Sequence, residues 1–309
     1  MRCKEHIPGK CFLFLVVALC CGVACTAQQA APPAQPQQGQ QAQSPLTAVP
    51  PASGARILLL PRKIVSGEHA TLAVLDISGR LTPGVNVFFS NGDKVTTDIS
   101  GRALFVAPLN TRTIAASIEG RGGRSSSTIL APAEAPSSTQ EVSAVPRAAS
   151  LADRFEILGH GFCGDADANH VSIAGAPALV LASSPAYLAV LPPLDLQPGP
   201  AKIQVSCGQR VSPEFSVVFL SLELAANSAT LAPKEHRTLT VRVRGSTTKI
   251  ILEARNLAPD VAEMQGGTVV RALSSGGAEN TAHFELTGKQ RGNFIISIRL
   301  LSPPSPPKL

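Results

Sequence analysis

The chain has 309 residues, a formal net charge of +6, 44% hydrophobic residues, only 4% aromatic and 16% charged ones, no Trp and one Tyr. So few charges exclude a coiled coil or an acidic disordered chain, while the apolar fraction is enough to build a core. The apolar residues are mostly Val, Leu, Ile and Ala, and Gly and Pro number 25 and 26, which predicts many short strands with frequent turns, spread over two or three domains.

Arg2, Lys4 and Lys10 open the chain, with Glu5 the only acid, and a run of 14 apolar residues follows from Cys11 to Ala24. That run is shorter than the ~20 residues of a permanent membrane helix and reads as an export signal. Two exits remain open. Cleavage after Ala27 places Cys25 and Ala27 at the small-residue positions. Alternatively, Gly22-Val23-Ala24 before Cys25 resembles a bacterial lipoprotein signal, which would make Cys25 the lipidated residue; Gly22 departs from the Leu, Val or Ile usual there. Loss of the leader removes three of the 27 basic and one of the 21 acidic residues, leaving +4. That charge is too dispersed for the basic stripe that nucleic acid requires. Of seven cysteines, Cys3, Cys11, Cys20, Cys21 and, with cleavage after Ala27, Cys25 are removed, leaving Cys163 and Cys207. Two cysteines in an exported domain usually pair.

Residues 28–55 are rich in Ala, Pro, Gln and Ser, carry no charge, and read as a flexible tether. From Arg56, strands are expected at Ile57–Leu60, Ala70–Asp76, Val85–Ser90, Lys94–Thr97, Arg102–Ala107, Thr113–Glu119 and Ser126–Leu130. Pro83-Gly84, Asn91-Gly92-Asp93, Ser100-Gly101 and Gly120–Gly123 mark turns between them. Seven short strands at this spacing suggest an immunoglobulin-like sandwich over 56–131. A linker is expected over 132–145. A second block, 146–219, carries strands at Phe155–Leu158, His170–Ile173, Ala178–Ala182, Ala186–Leu191, Ala201–Ser206 and Glu214–Phe219. A third, 220–301, carries Ser221–Ala225, Thr238–Arg244, Lys249–Arg255, Val269–Leu273, Thr281–Leu286 and Asn293–Leu300. Residues 302–309 form a Pro-rich tail without an apolar or sorting segment, so any membrane attachment is expected at the N-terminus. Asn256–Gln265 holds at most one helical turn.

The first block resembles the bacterial immunoglobulin-like domains of invasin and intimin adhesins. The resemblance rests on Gly67-Glu68-His69-Ala70-Thr71-Leu72, the turn Asp76-Ile77-Ser78-Gly79-Arg80, Pro83-Gly84-Val85-Asn86-Val87-Phe88 and above all Thr96-Thr97-Asp98-Ile99-Ser100-Gly101-Arg102-Ala103, where Asp98 and Gly101 make a tight turn. The second block resembles an IPT/TIG domain, itself immunoglobulin-like. Phe155-Glu156-Ile157-Leu158-Gly159-His160-Gly161-Phe162 and Asn169-His170-Val171-Ser172-Ile173-Ala174-Gly175 carry that likeness. Pro192-Pro193, Pro198-Gly199 and Ala201-Lys202-Ile203-Gln204-Val205 follow in the family's order. Gly159 and Gly161 are expected to let the chain turn, and Phe162 to plug the core. The third block is sandwich-like by strand count, and its family is left open.

Several residue groups are candidates for chemistry. Gly159, Gly161 and Gly164 match G-x-G-x-x-G, but a strand rather than a helix is expected next, which removes the helix N-terminus that holds a pyrophosphate. Asp165, Asp167 and Asn169 have the alternation of a calcium loop without its central Gly and terminal Glu, so a solvated loop is expected, with His160 and His170 nearby in sequence. Cys163 falls between the second and third strands of its sandwich and Cys207 at the end of the strand before the last hairpin. In an immunoglobulin-like topology those ends coincide, so a disulfide is expected, closing a loop of ~45 residues worth ~3–4 kcal/mol on a loop-entropy model. Glu68-His69 and Glu235-His236 read as turn residues. Arg121 and Arg124 suggest a basic hairpin tip, and Arg242, Arg244, Lys249 and Arg255 add charge to the third block, more as solubilising or edge-protecting residues than as a polyanion site.

The expected molecule is an all-β, non-catalytic exported protein of the bacterial cell envelope or surface. It carries tandem immunoglobulin-like sandwiches for adhesion, display or scaffolding, with no cofactor and no metal. Its partner is expected to be an envelope protein or glycan, with no nucleic acid and with membrane contact only through an N-terminal lipid; its place is periplasmic, outer-membrane-attached or extracellular. The alternatives are a carbohydrate-binding accessory of a glycan-processing system, against which the shortage of Trp and Tyr counts, and a pure spacer.

Overall fold

The computed structural model describes residues 56–121, 123–132, 140–225 and 231–307; the leader, the tether and Cys25 lie outside them. The described residues form an all-β structure of immunoglobulin-like sandwiches. In the first, β1 (Arg56–Leu59), β3 (His69–Asp76) and β6 (Arg102–Val106) make one antiparallel sheet. The facing sheet runs β2 (Lys63–Val65), β8 (Arg124–Leu130), β7 (Thr113–Ile118), β4 (Asn86–Phe89) and β5 (Lys94–Thr96), with β2 parallel to β8. Alternating residues from both sheets meet in one core around Ile64, Leu72, Val87 and Phe105. Two turns repeat one piece of chemistry. The Asp76 carboxylate accepts hydrogen bonds from the Ser78 and Arg80 amides, and the Asp98 carboxylate accepts them from the Ser100 amide and hydroxyl. Partial burial works against ionisation of Asp98, but these bonds and Arg102 outweigh it and hold its pKa below the usual carboxylate range.

The second sandwich pairs β9 (Glu141–Pro146), β11 (Phe155–His160) and β14 (Tyr187–Leu191) on one side. The other side holds β12 (Asn169–Ile173), β15 (Gly199–Cys207), β16 (Arg210–Val211) and β17 (Phe215–Leu224), with β10 (Ala148–Ser150) parallel to β17. A single strand, β13 (Ala176–Ser184), serves both sheets. Ala176–Ala178 pair with β12 and Leu179–Ser184 pair with β14, with a register shift between Val180 and Ala182 inside the second pairing. Phe162 is buried in the core with Phe155, Phe215 and Phe219. Residues 141–145, expected in a linker, are strand: β9 buries Val142 and Val145, but a register shift against β11 at Leu158/Gly159 breaks the alternation that would mark a strand beside the Pro- and Ser-rich stretch before it.

Among the described residues, the third sandwich shares its first strand with the second. The second half of β17, Ser221–Leu224, continues straight on from sandwich two and pairs with β18 (His236–Arg244). β18 pairs with β22 (Thr281–Gly288), which pairs with β20 (Ala262–Met264). The facing sheet is β21 (Val269–Leu273), β19 (Ile251–Asn256) and β23 (Ile296–Leu301). The tail turns back as β24 (Pro304–Ser305), which pairs with Val145 and Pro146 of β9.

Candidate functional site

The G-x-G-x-x-G stretch leads into strand β12, and its glycines have steric causes. Gly159 lies inside β11, where a Cβ would strike the Glu141 carbonyl and the Phe162 ring, so it serves close approach and not the turn expected for it. Gly164 sits against the His69 carbonyl of sandwich one, leaving no room for a Cβ.

The loop 161–168 is a clamp. Cys163 and Cys207 are joined as a disulfide, with Cα atoms 5.8 Å apart. Buried Asn169, opposite Cys207 in the ladder, accepts from the Cys163 amide at 2.9 Å and donates to the Cys163 and Asp165 carbonyls. The loop so held reaches the first sandwich. Thr71 Oγ1 donates to the Gly164 carbonyl at 2.8 Å and accepts from the Ala166 amide at 3.1 Å; Ser183 Oγ donates to the same carbonyl at 2.6 Å. Asp167 meets buried Arg102. The expected calcium-like trio thus divides into one structural Asn, one interdomain ion pair and an Asp165 whose carboxylate caps the Asp167 amide.

Around the clamp, Leu75, Leu181, Ala182, Tyr187 and Ala189 bury one another, with Leu59 and Leu81 packed on them. Glu156, whose charge acts on Tyr187, pairs with Arg62 of sandwich one at 2.8 Å. Burial, then the Glu156 charge, pushes the phenol well above the usual tyrosine range.

The other candidates separate. His160 ends β11 and His170 is exposed on β12, in opposing sheets. No group of three His, Cys, Asp or Glu side chains placed to hold a metal occurs among the described residues. His69 opens β3, with its carbonyl against Gly164. Glu235 caps the Ala232 amide and meets Arg237, which lower its pKa, and His236 bonds Thr287. Arg121 and Arg124 flank the β7–β8 turn, and Arg244 pairs with Glu223 at 3.0 Å.

Of the expected cations, Arg255 enters a cluster. On the outer face of β19 stands Glu253, 2% exposed beneath guanidiniums. Arg299 Nε lies 2.9 Å from its carboxylate, Arg271 Nε 3.1 Å and Arg255 Nη2 3.8 Å. The bond from Arg299, ahead of the one from Arg271, holds the Glu253 pKa below the usual range. Neither Glu253, Arg271 nor Arg299 was singled out above. The available signal was the alternation Ile251-x-Glu253-x-Arg255 against Val269-x-Arg271-x-Leu273. Arg299 also lines a cleft of about 540 Å³ where the three sandwiches meet, shared with Arg62, Arg154, Glu156, Leu222 and Ile298. A second cavity, about 850 Å³, lies under the tail, lined by Val145, Val218, Lys249, Ile250 and Leu301.

No protein-family model and no curated protein matches the chain. Among solved structures it is similar to domains 1–6 of the surface layer protein SbsC, with 11% identity over 82% of this chain and a TM-score of 0.21; the chain spans about 40% of that structure. It is also similar to SGBP-B of the Bacteroides ovatus mixed-linkage glucan utilization locus, solved with a mixed-linkage heptasaccharide, with 9% identity, 78% of this chain and 73% of that one covered, and a TM-score of 0.31. A third is Sidekick-1 immunoglobulin domains 1–4, at 12% identity, 80% and 76% coverage and a TM-score of 0.22. At these TM-scores the likenesses carry no argument about activity.

Proposed function

We propose that this chain is a non-catalytic, exported envelope or surface protein that displays a binding surface on a rigid stack of immunoglobulin-like sandwiches. The observation that carries the reading is the cleft where all three sandwiches meet, with exposed arginines fixed on its walls by both junctions. The buried polar groups at the first junction, Thr71, Ser183 and Asn169, are occupied in holding backbone, which suits a scaffold. The composition of residues 1–27 and 28–55 supports export and a tether, with Cys25 as the lipidation site under one exit. Sandwich one is read as invasin/intimin-like and sandwich two as IPT/TIG-like. A sugar platform is disfavoured: Tyr187 is 5% exposed, and of the described Phe residues only Phe88 is exposed.

The test is expression of the full chain in a bacterial export host, with fractionation, N-terminal mass spectrometry, and photo-crosslinkers at Ile99, Leu194 and Arg271. A processed or lipidated N-terminus in the envelope fraction and a discrete adduct from any position are expected. Cytosolic chain with an intact leader, or hydrolytic turnover by the purified protein, would overturn the reading; envelope location without adducts at any site would make it a spacer.

A further inference from the structure

The outer face of the β21–β19–β23 sheet consists of ordered rows. The register sets Ile251 opposite Leu273 and Leu301, and Glu253 opposite Arg271 and Arg299. The first row is apolar and open, with Ile251 46% and Leu273 57% exposed. The second is ionic, and the side chains of Arg271 and Arg299 are 68% and 54% exposed above the buried carboxylate. With Arg255, three guanidiniums share one carboxylate. Arg271 meets Glu253 through Nε, so its terminal nitrogens have no bond to the described protein. From Arg299 the cationic surface runs on into the three-sandwich cleft, where Arg154 and Arg62 face Asp153 and Glu156. Five cations against three anions leave the track at +2.

Resting on the reading of the chain as an exported binding protein, we propose that this track docks an extended acidic polypeptide segment whose carboxylates alternate with aliphatic side chains on one face. Guanidinium forks with unused nitrogens bind carboxylates bidentately, and the excess positive charge selects an acidic partner. The neighbouring aliphatic row requires apolar side chains on the same partner. Same-face residues of an extended segment recur about every 6.8 Å, which is also the spacing of the rows along β19. A sugar polyanion fits less well, because the aromatic ring lining the cleft, Phe155, is 5% exposed and presents no stacking face.

The test uses the full disulfide-bonded chain and fluorescence anisotropy with a labelled 16-residue peptide repeating Val-Thr-Glu-Thr, its Val-Thr-Gln-Thr counterpart, and a heparin-derived hexasaccharide. The acidic peptide is expected to bind at least tenfold more tightly than the Gln peptide. The triple variant Glu253→Gln, Arg271→Gln, Arg299→Gln removes the buried anion together with its two nearest cations and leaves only the solvent-exposed Arg255 without its partner; it should lose at least tenfold, whereas Arg121→Gln with Arg124→Gln should lose nothing. If the triple variant does not fold, Arg154→Gln with Arg255→Gln serves, with a smaller loss expected. Equal binding of both peptides, no peptide binding, an unchanged triple variant, or selective binding of the hexasaccharide would overturn the proposal. An envelope adduct from Ile99 or Leu194 would then leave the binding-protein reading standing while this one fails.

Discussion

Thr71→Val is the sharpest test of the clamp between the first two sandwiches. Thr71 is 4% exposed and its hydroxyl makes two bonds, to the Gly164 carbonyl and from the Ala166 amide. Valine keeps the shape and removes both. The Gly164 carbonyl retains Ser183 Oγ, but the amide of Ala166, a residue 2% exposed, loses its partner. An orphaned buried N–H costs about 1–3 kcal/mol. For a folded unit of this size about 2 kcal/mol corresponds to roughly 4–8 °C in Tm. Thr71→Ser keeps the hydroxyl and is the control. Adding Ser183→Ala to Thr71→Val strips the last bond from the Gly164 carbonyl, and because the two sites share one acceptor, the double variant should lose more than the sum of the single ones. Calorimetry reads the transition, and limited proteolysis reads exposure of loop 161–168. Valine and serine variants of equal Tm and equal proteolytic resistance would refute the assignment of the hydroxyl as a clamp.

Three further outcomes follow from the same contacts. Tyr187 is the chain's one tyrosine, so absorbance near 295 nm reports this junction alone. Its raised pKa means that an unfolded chain ionises from about pH 10 while the native one does not, so stability should fall as pH rises above that point and the native spectrum should stay that of the neutral phenol; a free-tyrosine titration curve would contradict the burial. Gly245→Ala should damage the second junction, because a Cβ there lies 2.5 Å from the Phe219 carbonyl and the residue has φ +97°; the backbone strain alone is about 1–3 kcal/mol, and a variant with wild-type Tm and scattering profile would refute that requirement. Cys163→Ser with Cys207→Ser opens a closure spanning 44 positions, for which loop entropy gives about 4 kcal/mol; two titratable thiols in the native wild-type protein would refute the bond.

The strands were legible where one face alternates: Val171 and Ile173 of β12, or Ala201, Ile203, Val205 and Cys207 of β15, stand buried between more exposed neighbours. The Asp98–Gly101 turn was legible because its bonds close within four residues. The junctions were not. Thr71 and Gly164 are 93 positions apart, and a small polar residue inside a hydrophobic strand carries no local mark of a partner so distant. Gly159 and Gly164 were visible as glycines, but whether a glycine makes a turn or admits a crossing backbone depends on where Glu141 and His69 pass. Glu253 was hidden for a related reason. A lone acid in an alternating strand reads as solvated, and only the pairing of β19 with two strands 18 and 46 positions further on surrounds it with arginines.

The division of labour among these contacts explains why the sandwiches form a stack and not a string. Arg62–Glu156 joins the first two, but Arg62 is 72% exposed, and ion pairs so open to water contribute little. The apolar cluster of Leu75, Leu181 and Tyr187, removed from water, the buried Thr71 bonds, and the buried Ser184 hydroxyl donating to the Lys63 carbonyl carry the first junction. The second depends on backbone, since one strand, β17, belongs to both sandwiches and β24 ties the end of the third to β9 of the second. The charged residues on the surface thereby carry little of the load at the junctions and are fixed in relative position. Arg62, Arg154 and Arg299 come from three different sandwiches, yet they line one cleft. On a flexible string their alignment would have to be ordered when a partner bound, and that entropy would be subtracted from affinity; held by the two junctions, it is settled on folding. Weakening either junction should therefore weaken binding at the cleft even when every arginine is present, which makes the Gly245→Ala chain a test of the binding surface as well as of the fold.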